Sequence, residues 1–311
     1  MTTFIILKIY KITYTNILLK NQIPIFILTY RGSEREPLIK KKLDNLNLKY
    51  KLIYGSNAKV EKNRKVLNSY YDINRSKRIF KKELNLYDIA CSFGHMKIYK
   101  YITKKKIKCA IIMEDDCCPK ASFAQWANLK KKYIESFDYI QFYSNSGLIY
   151  KKTFMNIDNK FFIHKAFSHL PLTTCYQINF KACKYLLNYY ANSIFQTSDF
   201  PGSYMLKEIK QYFVLPLIAS IDEKHLETST NRKIWDSVNY YDKIKNILPF
   251  YNFFNSVITI LHIPYLLFFY KKYPYSYYKK YFLLLKWNIF KNYFLRKYIN
   301  INSLISNKSN Y

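Results

Sequence analysis

The sequence predicts an α/β domain in which strands and helices alternate around one sheet. Residues 23–30 form an apolar run typical of a buried strand, and a helix-spaced stretch from Glu34 leads to a second strand at residues 49–54. A further apolar run, residues 109–113, breaks abruptly into three acids. Strand–helix–strand order is the opening of an α/β sheet, and such sheets bind ligands at the carboxyl ends of their strands.

The three acids that follow the apolar run are Glu114, Asp115 and Asp116. Because side chains alternate along a strand, Glu114 and Asp116 are expected on one face and Asp115 on the other. Adjacent carboxylates repel one another, and their burial needs a cation or donors. Oxygen ligands at a strand end suit Mg²⁺ or Mn²⁺. The alternative is an acidic turn that merely ends the strand.

The composition indicates a folded protein with a substantial core. Of 311 residues, 50% are hydrophobic and 19% are aromatic. The net charge of +31 invites a nucleic-acid interpretation, but the lysines are spread among abundant Asn, Ile, Tyr and Phe. This mixture is typical of a general compositional bias. No RNP-like, zinc-finger or glycine-rich phosphate-loop motif is present, so we expect no nucleic-acid partner.

The cysteines predict reduced thiols rather than a disulfide framework. None of the six forms a CxxC pair, and no Cys–His spacing resembles a zinc site. Several lie inside apolar segments, where a free core thiol is expected. The pattern favours a reducing compartment.

The middle of the chain continues the alternation. Residues 56–83 are polar and basic and are predicted to be a loop or a weak helix, and a helix then begins at Leu84 with Asn85 as its cap. His95 lies on that helix, where a structural and a direct catalytic role are both open. The remaining predicted elements are helices at 121–137, 181–190 and 204–210 and strands at 138–143, 161–164, 173–180 and 213–218.

Three further side chains are candidates for chemistry. Arg31 and Arg35 follow the first strand, where they could grip a diphosphate or simply be solvated. Asp199 is a single carboxylate on a loop; it is a candidate general base or a helix N-cap.

The two ends of the chain differ from the middle. Residues 1–22 are predicted to be a leader strand, a loose anchor or an over-long start, since Lys8 and Lys11 interrupt their apolar character. From Lys243 onward there are no acids, and basic residues alternate with aromatic and Leu residues. Such a helical tail is expected to lie on an anionic membrane surface, or else to pack on the main domain.

The order of these pieces resembles glycosyltransferase family 25, which includes bacterial lipooligosaccharide galactosyl- and glucosyltransferases and collagen galactosyltransferases. The resemblance covers residues 23–230. The sequence departs from the family pattern at three places. Gly94 stands where Ser is usual before His95, Asp88 where Glu is typical, and Thr29-Tyr30 where Asn-Leu is common. The segments that carry it are IFILTYR ending at Arg31, LYDIACSFGH ending at His95, IIMEDD ending at Asp116, TTCYQINFKAC at 173–183, and Asp199.

The resemblance implies a GT-A-like fold, which is a Rossmann-like mixed sheet flanked by helices, over residues 23–230, followed by the basic tail at 231–311. It implies inverting transfer of galactose or glucose from a UDP-sugar to a lipooligosaccharide, LPS or related glycan acceptor, at the cytoplasmic face of the membrane. The implied roles are a Mn²⁺ or Mg²⁺ site at Asp116 and Glu114, a base at Asp199, and donor binding by Arg31, Arg35, Glu114, Asp115 and His95. The alternative function is that of a non-enzymatic basic protein that binds nucleic acid or an anionic membrane.

Overall fold

The computed structural model describes residues 22–80, 83–129, 135–145, 147–167, 170–191, 193–198, 208–222 and 298–301. The chain divides into two compact units, Met1–Leu226 with Ile299–Tyr311, and Glu227–Tyr298. Nearly all the described residues belong to the first unit. The expectations for the leader, for Asp199, for most of the helix at 204–210 and for most of the basic tail fall outside them.

A mixed sheet forms the centre of the first unit. Within the described residues it has nine strands in the order β11-β6-β7-β9-β5-β8-β3-β1-β2. The neighbours β2 and β3 are both parallel to β1, whereas β8 is antiparallel to β3. The strands are β1 (Ile25–Thr29), β2 (Lys51–Tyr54), β3 (Cys109–Glu114), β4 (Cys117–Pro119), β5 (Tyr139–Gln141), β6 (Leu148–Ile157), β7 (Phe161–Ala166), β8 (Cys175–Asn179), β9 (Gln211–Leu215), β10 (Ala219–Ile221) and β11 (Tyr298–Asn300), of which β4 and β10 form a separate antiparallel pair.

Helices cover both faces of the sheet, as the alternation of the strands requires. The helices are α1 (Glu36–Asn45), α2 (Glu61–Tyr70), α3 (Ile73–Phe80), α4 (Leu86–Lys104), α5 (Ala121–Ala127) and α6 (Phe180–Tyr190). Ile25, Ile27 and Ile111 pack in one core with α1 and α5, whereas Phe26 and Ile112 pack in another with α4 and α6. This three-layer arrangement is an α/β fold of the GT-A-like class, as the sequence predicted.

Several boundaries differ from the predicted ones. Residues 56–83 contain two helices, α2 and α3. The hydrophobic pattern of α2 is weak because this helix buries only Leu67. The sequence does hold a capping signal for α3, since the Asp72 side chain accepts a hydrogen bond from the Arg75 N–H. The helix expected at 121–137 ends at Ala127, where the Asn128 side chain donates to the Ala124 carbonyl. The sequence analysis also missed β6, which lies near an edge of the sheet and exposes many of its residues.

The predicted cap of α4 is confirmed, although the helix begins at Leu86 rather than at Leu84. The side chain of Asn85 accepts a hydrogen bond from the Asp88 N–H at 2.8 Å, which satisfies one of the orphan donors of the first turn. The helix places Cys91 and His95 four residues apart on the side that faces the sheet. All six cysteines are free in the structure.

Candidate functional site

The three acids lie where β3 ends, beside the end of the parallel strand β1. Leu28 of β1 is paired with Glu114, and the Asp115 N–H donates to the Leu28 carbonyl at 3.1 Å. The strand ends at Glu114, so the alternation of faces does not continue through the turn that holds Asp115 and Asp116. Asp116 therefore approaches the same arginine as Asp115, rather than the helix α4 that Glu114 faces.

Asp115 is held by three neighbours. One of its carboxylate oxygens accepts hydrogen bonds from the hydroxyls of Thr29 and Ser33, both at 2.7 Å, and the other lies 2.7 Å from the Arg35 guanidinium. The residue is only 6% exposed. Breaking such a buried pair leaves an uncompensated charge, so Asp115 and Arg35 fix each other's position.

The negative charge of Asp116 has less compensation than that of Asp115. Its nearest cationic atom is an Arg35 nitrogen at 3.8 Å, too far for a hydrogen bond, and its buried Oδ1 has no hydrogen-bond partner among the described residues. Burial, followed by the charge of Glu114, raises the pKa of Asp116 to about 8 in spite of the opposing charge of Arg35. A buried carboxylate oxygen without a donor is satisfied by a proton, a water or a cation, so this position is able to accept a cation.

Glu114 faces the opposite way, into a chain of hydrogen-bonding groups. Its Oε1 lies 3.2 Å from Nε2 of His95, whose Nδ1 lies 2.7 Å from the Tyr176 hydroxyl; that hydroxyl lies 2.7 Å from the hydroxyl of Tyr99. Burial would raise the pKa of Glu114, but the contacts with His95 and Thr173 lower it, and the net direction is downward. His95 is fully buried and both of its ring nitrogens contact protein groups.

Three further residues join Glu114 that the sequence analysis did not single out. The Thr173 hydroxyl donates to Glu114 Oε1 at 2.6 Å, and Cys91 Sγ lies 3.8 Å from the same oxygen. Ser198 Oγ lies 3.3 Å from Cys91 Sγ and 3.4 Å from the Thr173 hydroxyl. Asp199 lies outside the described residues, but its chain neighbour Ser198 reaches this cluster.

The two arginines have different surroundings. Arg35 is largely enclosed by the acids, whereas Arg31 is exposed and its guanidinium lies 4.8 Å from the centre of the Tyr54 ring. Gly32, with φ +81°, makes the turn after β1 that separates them, a conformation that favours glycine. Tyr54 ends β2, so Arg31 lies over the carboxyl ends of the parallel strands.

Gly94 explains one departure from the family pattern. A Cβ at this position would lie 2.5 Å from one methyl group of Leu28 and 2.8 Å from the other. Leu28 in β1 therefore occupies the space that a serine side chain would need. The glycine lets α4 approach β1 closely enough for His95 to reach Glu114.

A mixed sheet with helices on both faces and an acidic cluster at strand carboxyl ends defines an α/β protein of the GT-A-like class. A family model described as glycosyltransferase family 25 (LPS biosynthesis protein) matches residues 22–200. The chain therefore belongs to glycosyltransferase family 25 and is a glycosyltransferase of LPS biosynthesis, as the sequence resemblance predicted. Among curated proteins, none matches the chain.

Proposed function

We propose that the protein transfers a hexose, galactose or glucose, from a UDP-sugar to a lipooligosaccharide or related LPS acceptor, with inversion at the anomeric carbon. Membership of the family supports glycosyl transfer from a nucleotide-sugar donor. The sugar and the stereochemistry follow what the family resemblance implies, and the metal is inferred from the residues at the strand ends.

The observation that carries the proposal is the unpartnered Oδ1 of Asp116. A divalent cation fits this oxygen best, because its charge would offset the burial and the repulsion from Glu114 that together raise the pKa of Asp116. Asp116 would hold the cation, with the second carboxylate oxygen of Glu114 as a further candidate ligand. A bound Mn²⁺ or Mg²⁺ supplies positive charge against the nucleoside diphosphate that leaves.

The arginines would serve the same diphosphate in two ways. Arg31 is exposed over the strand ends and carries a fork of donors suited to phosphate oxygens. Arg35 is already bound to Asp115, so we propose that the pair holds the turn in shape and presents one face of the guanidinium to the donor.

Glu114 and His95 would act together. Because His95 is buried, we propose that it serves the donor through Glu114, by fixing the orientation of that carboxylate. Asp199 would be the base: it takes the proton of the acceptor hydroxyl, the hydroxyl oxygen attacks the anomeric carbon, and the bond from that carbon to the diphosphate oxygen breaks. The position of Ser198 beside Thr173 supports the approach of this loop to the site.

The acceptor proposed here is lipid-linked, so we also propose peripheral contact with the cytoplasmic face of the membrane. Among the described residues, no helix combines the length and apolar character needed to cross a bilayer. The support for surface contact is the absence of acids from residue 243 onward, where eleven basic side chains are interleaved with aromatic ones.

The test is release of UDP from a panel of UDP-sugars with purified full-length protein and an LPS-derived acceptor. We expect release with Mn²⁺ or Mg²⁺ and none with chelator. Asp116→Asn should lose about 100-fold or more in turnover while its folded structure is retained, because it exchanges a charged ligand for a neutral one. Asp44→Asn is the matched control, since Asp44 is exposed and contacts Tyr50. Asp116→Asn activity within about threefold of wild type at saturating metal would contradict the metal role.

A further inference from the structure

We propose that Cys91, His95 and Glu114 form a second metal site, specific for a soft divalent cation such as Zn²⁺. One ligand atom from each of the three residues lies within 4.8 Å of the other two. The residues come from two elements, since α4 supplies the cysteine and the histidine and β3 supplies the glutamate. This inference does not depend on glycosyl transfer.

The separations are close to those of a tetrahedral zinc site. With zinc–ligand bonds of about 2.0 to 2.3 Å, two ligand atoms of a tetrahedron lie about 3.3 to 3.6 Å apart. His95 Nε2 is 3.2 Å from Glu114 Oε1, and Cys91 Sγ is 3.8 Å from the same oxygen. The cysteine and histidine atoms, at no more than 4.8 Å, need to close by at most about 1.2 Å. Both lie on one helix, so a side-chain rotation supplies this movement.

The surroundings of the three residues resemble those of known zinc ligands. A zinc-bound histidine usually contacts a second group through its other ring nitrogen, which fixes the orientation of the ring. Here the Tyr176 hydroxyl lies 2.7 Å from His95 Nδ1, which leaves Nε2 to face Glu114 and Cys91. The Thr173 hydroxyl holds Glu114 Oε1 in the same way.

The charge and the ligand types select the metal. A thiolate, a carboxylate and a neutral imidazole carry two negative charges in total, which a divalent ion balances in this largely enclosed position. Mg²⁺ and Mn²⁺ prefer oxygen ligands, whereas a thiolate with an imidazole suits Zn²⁺. Binding displaces the thiol proton of Cys91 to solvent. The fourth position faces Ser198, whose hydroxyl lies 3.3 Å from Cys91 Sγ, and a water or that hydroxyl completes the tetrahedron.

A zinc ion here would join α4 to the end of β3. It would use Oε1 of Glu114 and so would fix the carboxylate that the first site also needs, which makes it a structural clamp beside the donor site. Asp116 is not one of the three clustered residues, and its Oδ2 lies 3.8 Å from the Arg35 guanidinium. The two sites therefore differ in ligand chemistry and in the metal they select.

The experiment adds Co²⁺, as a spectroscopic substitute for zinc, to chelator-treated full-length protein. We expect one equivalent to bind with the near-ultraviolet charge-transfer band of a thiolate ligand and the intense visible bands of four-coordinate cobalt, and Zn²⁺ to displace it. Cys91→Ser should abolish the charge-transfer band and weaken Zn²⁺ binding at least about 100-fold, since even outer-shell changes cost 10- to 100-fold. Tyr176→Phe should weaken it about 10-fold.

Cys118→Ser is the matched control, since Cys118 is also a partly exposed cysteine near the acidic turn and should retain the band. A wild-type spectrum without thiolate ligation would overturn the site, and this result does not depend on how any variant folds. Loss of the band in Cys118→Ser but not in Cys91→Ser would equally overturn it, because the thiolate would then come from the other cysteine.

Discussion

Replacing Gly94 with alanine should destabilise the protein through one contact. The added Cβ would lie 2.5, 2.8 and 3.2 Å from Cδ1, Cδ2 and Cγ of Leu28. Carbon atoms in contact prefer about 3.5 to 4.0 Å, so the shortest of these distances falls about 1 Å short. Leu28 is itself only 8% exposed and cannot move into solvent without loss of burial.

Two effects of known size oppose each other at this position. Overpacking of a core costs about 1 to 3 kcal/mol. Alanine in a helix interior is favoured over glycine by about 1 kcal/mol or less, which offsets part of that cost. We therefore expect Gly94→Ala to lower the free energy of unfolding by up to about 2 kcal/mol.

A double-mutant cycle with Leu28→Ala isolates the contact. Leu28→Ala alone should cost about 2 to 5 kcal/mol because it leaves a cavity. In that background Gly94→Ala should become neutral or stabilising, which gives a coupling energy of about 1 to 3 kcal/mol. Urea unfolding followed by tryptophan fluorescence measures all four proteins, since Trp126 is fully buried in the core.

The reasoning is refuted if the two substitutions are additive, or if Gly94→Ala alone raises the urea midpoint. Either result would mean that α4 and β1 have room for a methyl group. The glycine would then have no packing role, and the departure from the family serine would have no structural explanation.

Three other predictions concern the acids and the tail. In metal-free protein, the pKa of Asp116 near 8 lies above its unfolded value, so its contribution to stability is present below about pH 4 and is lost as pH rises through about 8. The urea midpoint of Asp116→Asn should therefore rise relative to that of wild type between these pH values. Urea midpoints that change in parallel with pH would contradict this prediction. Asp199→Asn should keep nucleotide affinity by calorimetry but lose about 100-fold in transfer, whereas equal losses would indicate a donor-site or structural role. Full-length protein should sediment with anionic vesicles at low salt, and a variant with four tail lysines replaced by glutamine should not. The four lysines are Lys271, Lys272, Lys279 and Lys280. Vesicle binding that persists in this variant would contradict the prediction.

The sheet and its acidic end could be predicted because their signals are local. Residues 109–113 are continuously apolar, and the change to three acids marks the strand end within a residue of where it lies. The Asn85 cap is equally local, since its partner is three residues away. Such features depend on neighbours in the sequence, which a reader of the sequence can see.

The grouping of Cys91 with Glu114 could not be predicted with the same ease. The four-residue spacing of Cys91 and His95 on one helix was a usable signal, but the third member comes from a strand about 20 residues later, and its approach depends on how closely α4 packs on β1. The different contacts made by the three acids could not be predicted either. It depends on Arg35 reaching both Asp115 and Asp116 after the strand has ended.

The contact of Ile301 has a consequence for synthesis of the protein. Its N–H donates to the Gly147 carbonyl at 3.1 Å, and its side chain is fully buried with Ile149 and Phe213, although about 150 residues separate the two bonded positions. During synthesis on the ribosome, β6 therefore lacks its partner β11 until residues near 301 have emerged. In that interval β6 is an unpaired edge strand, and such edges can pair with strands of other chains. Truncation before Ile301 would make that temporary state permanent, whereas a fusion partner added after the last residue leaves these contacts available. A shortened form of the protein made for expression should therefore retain the chain through residue 301.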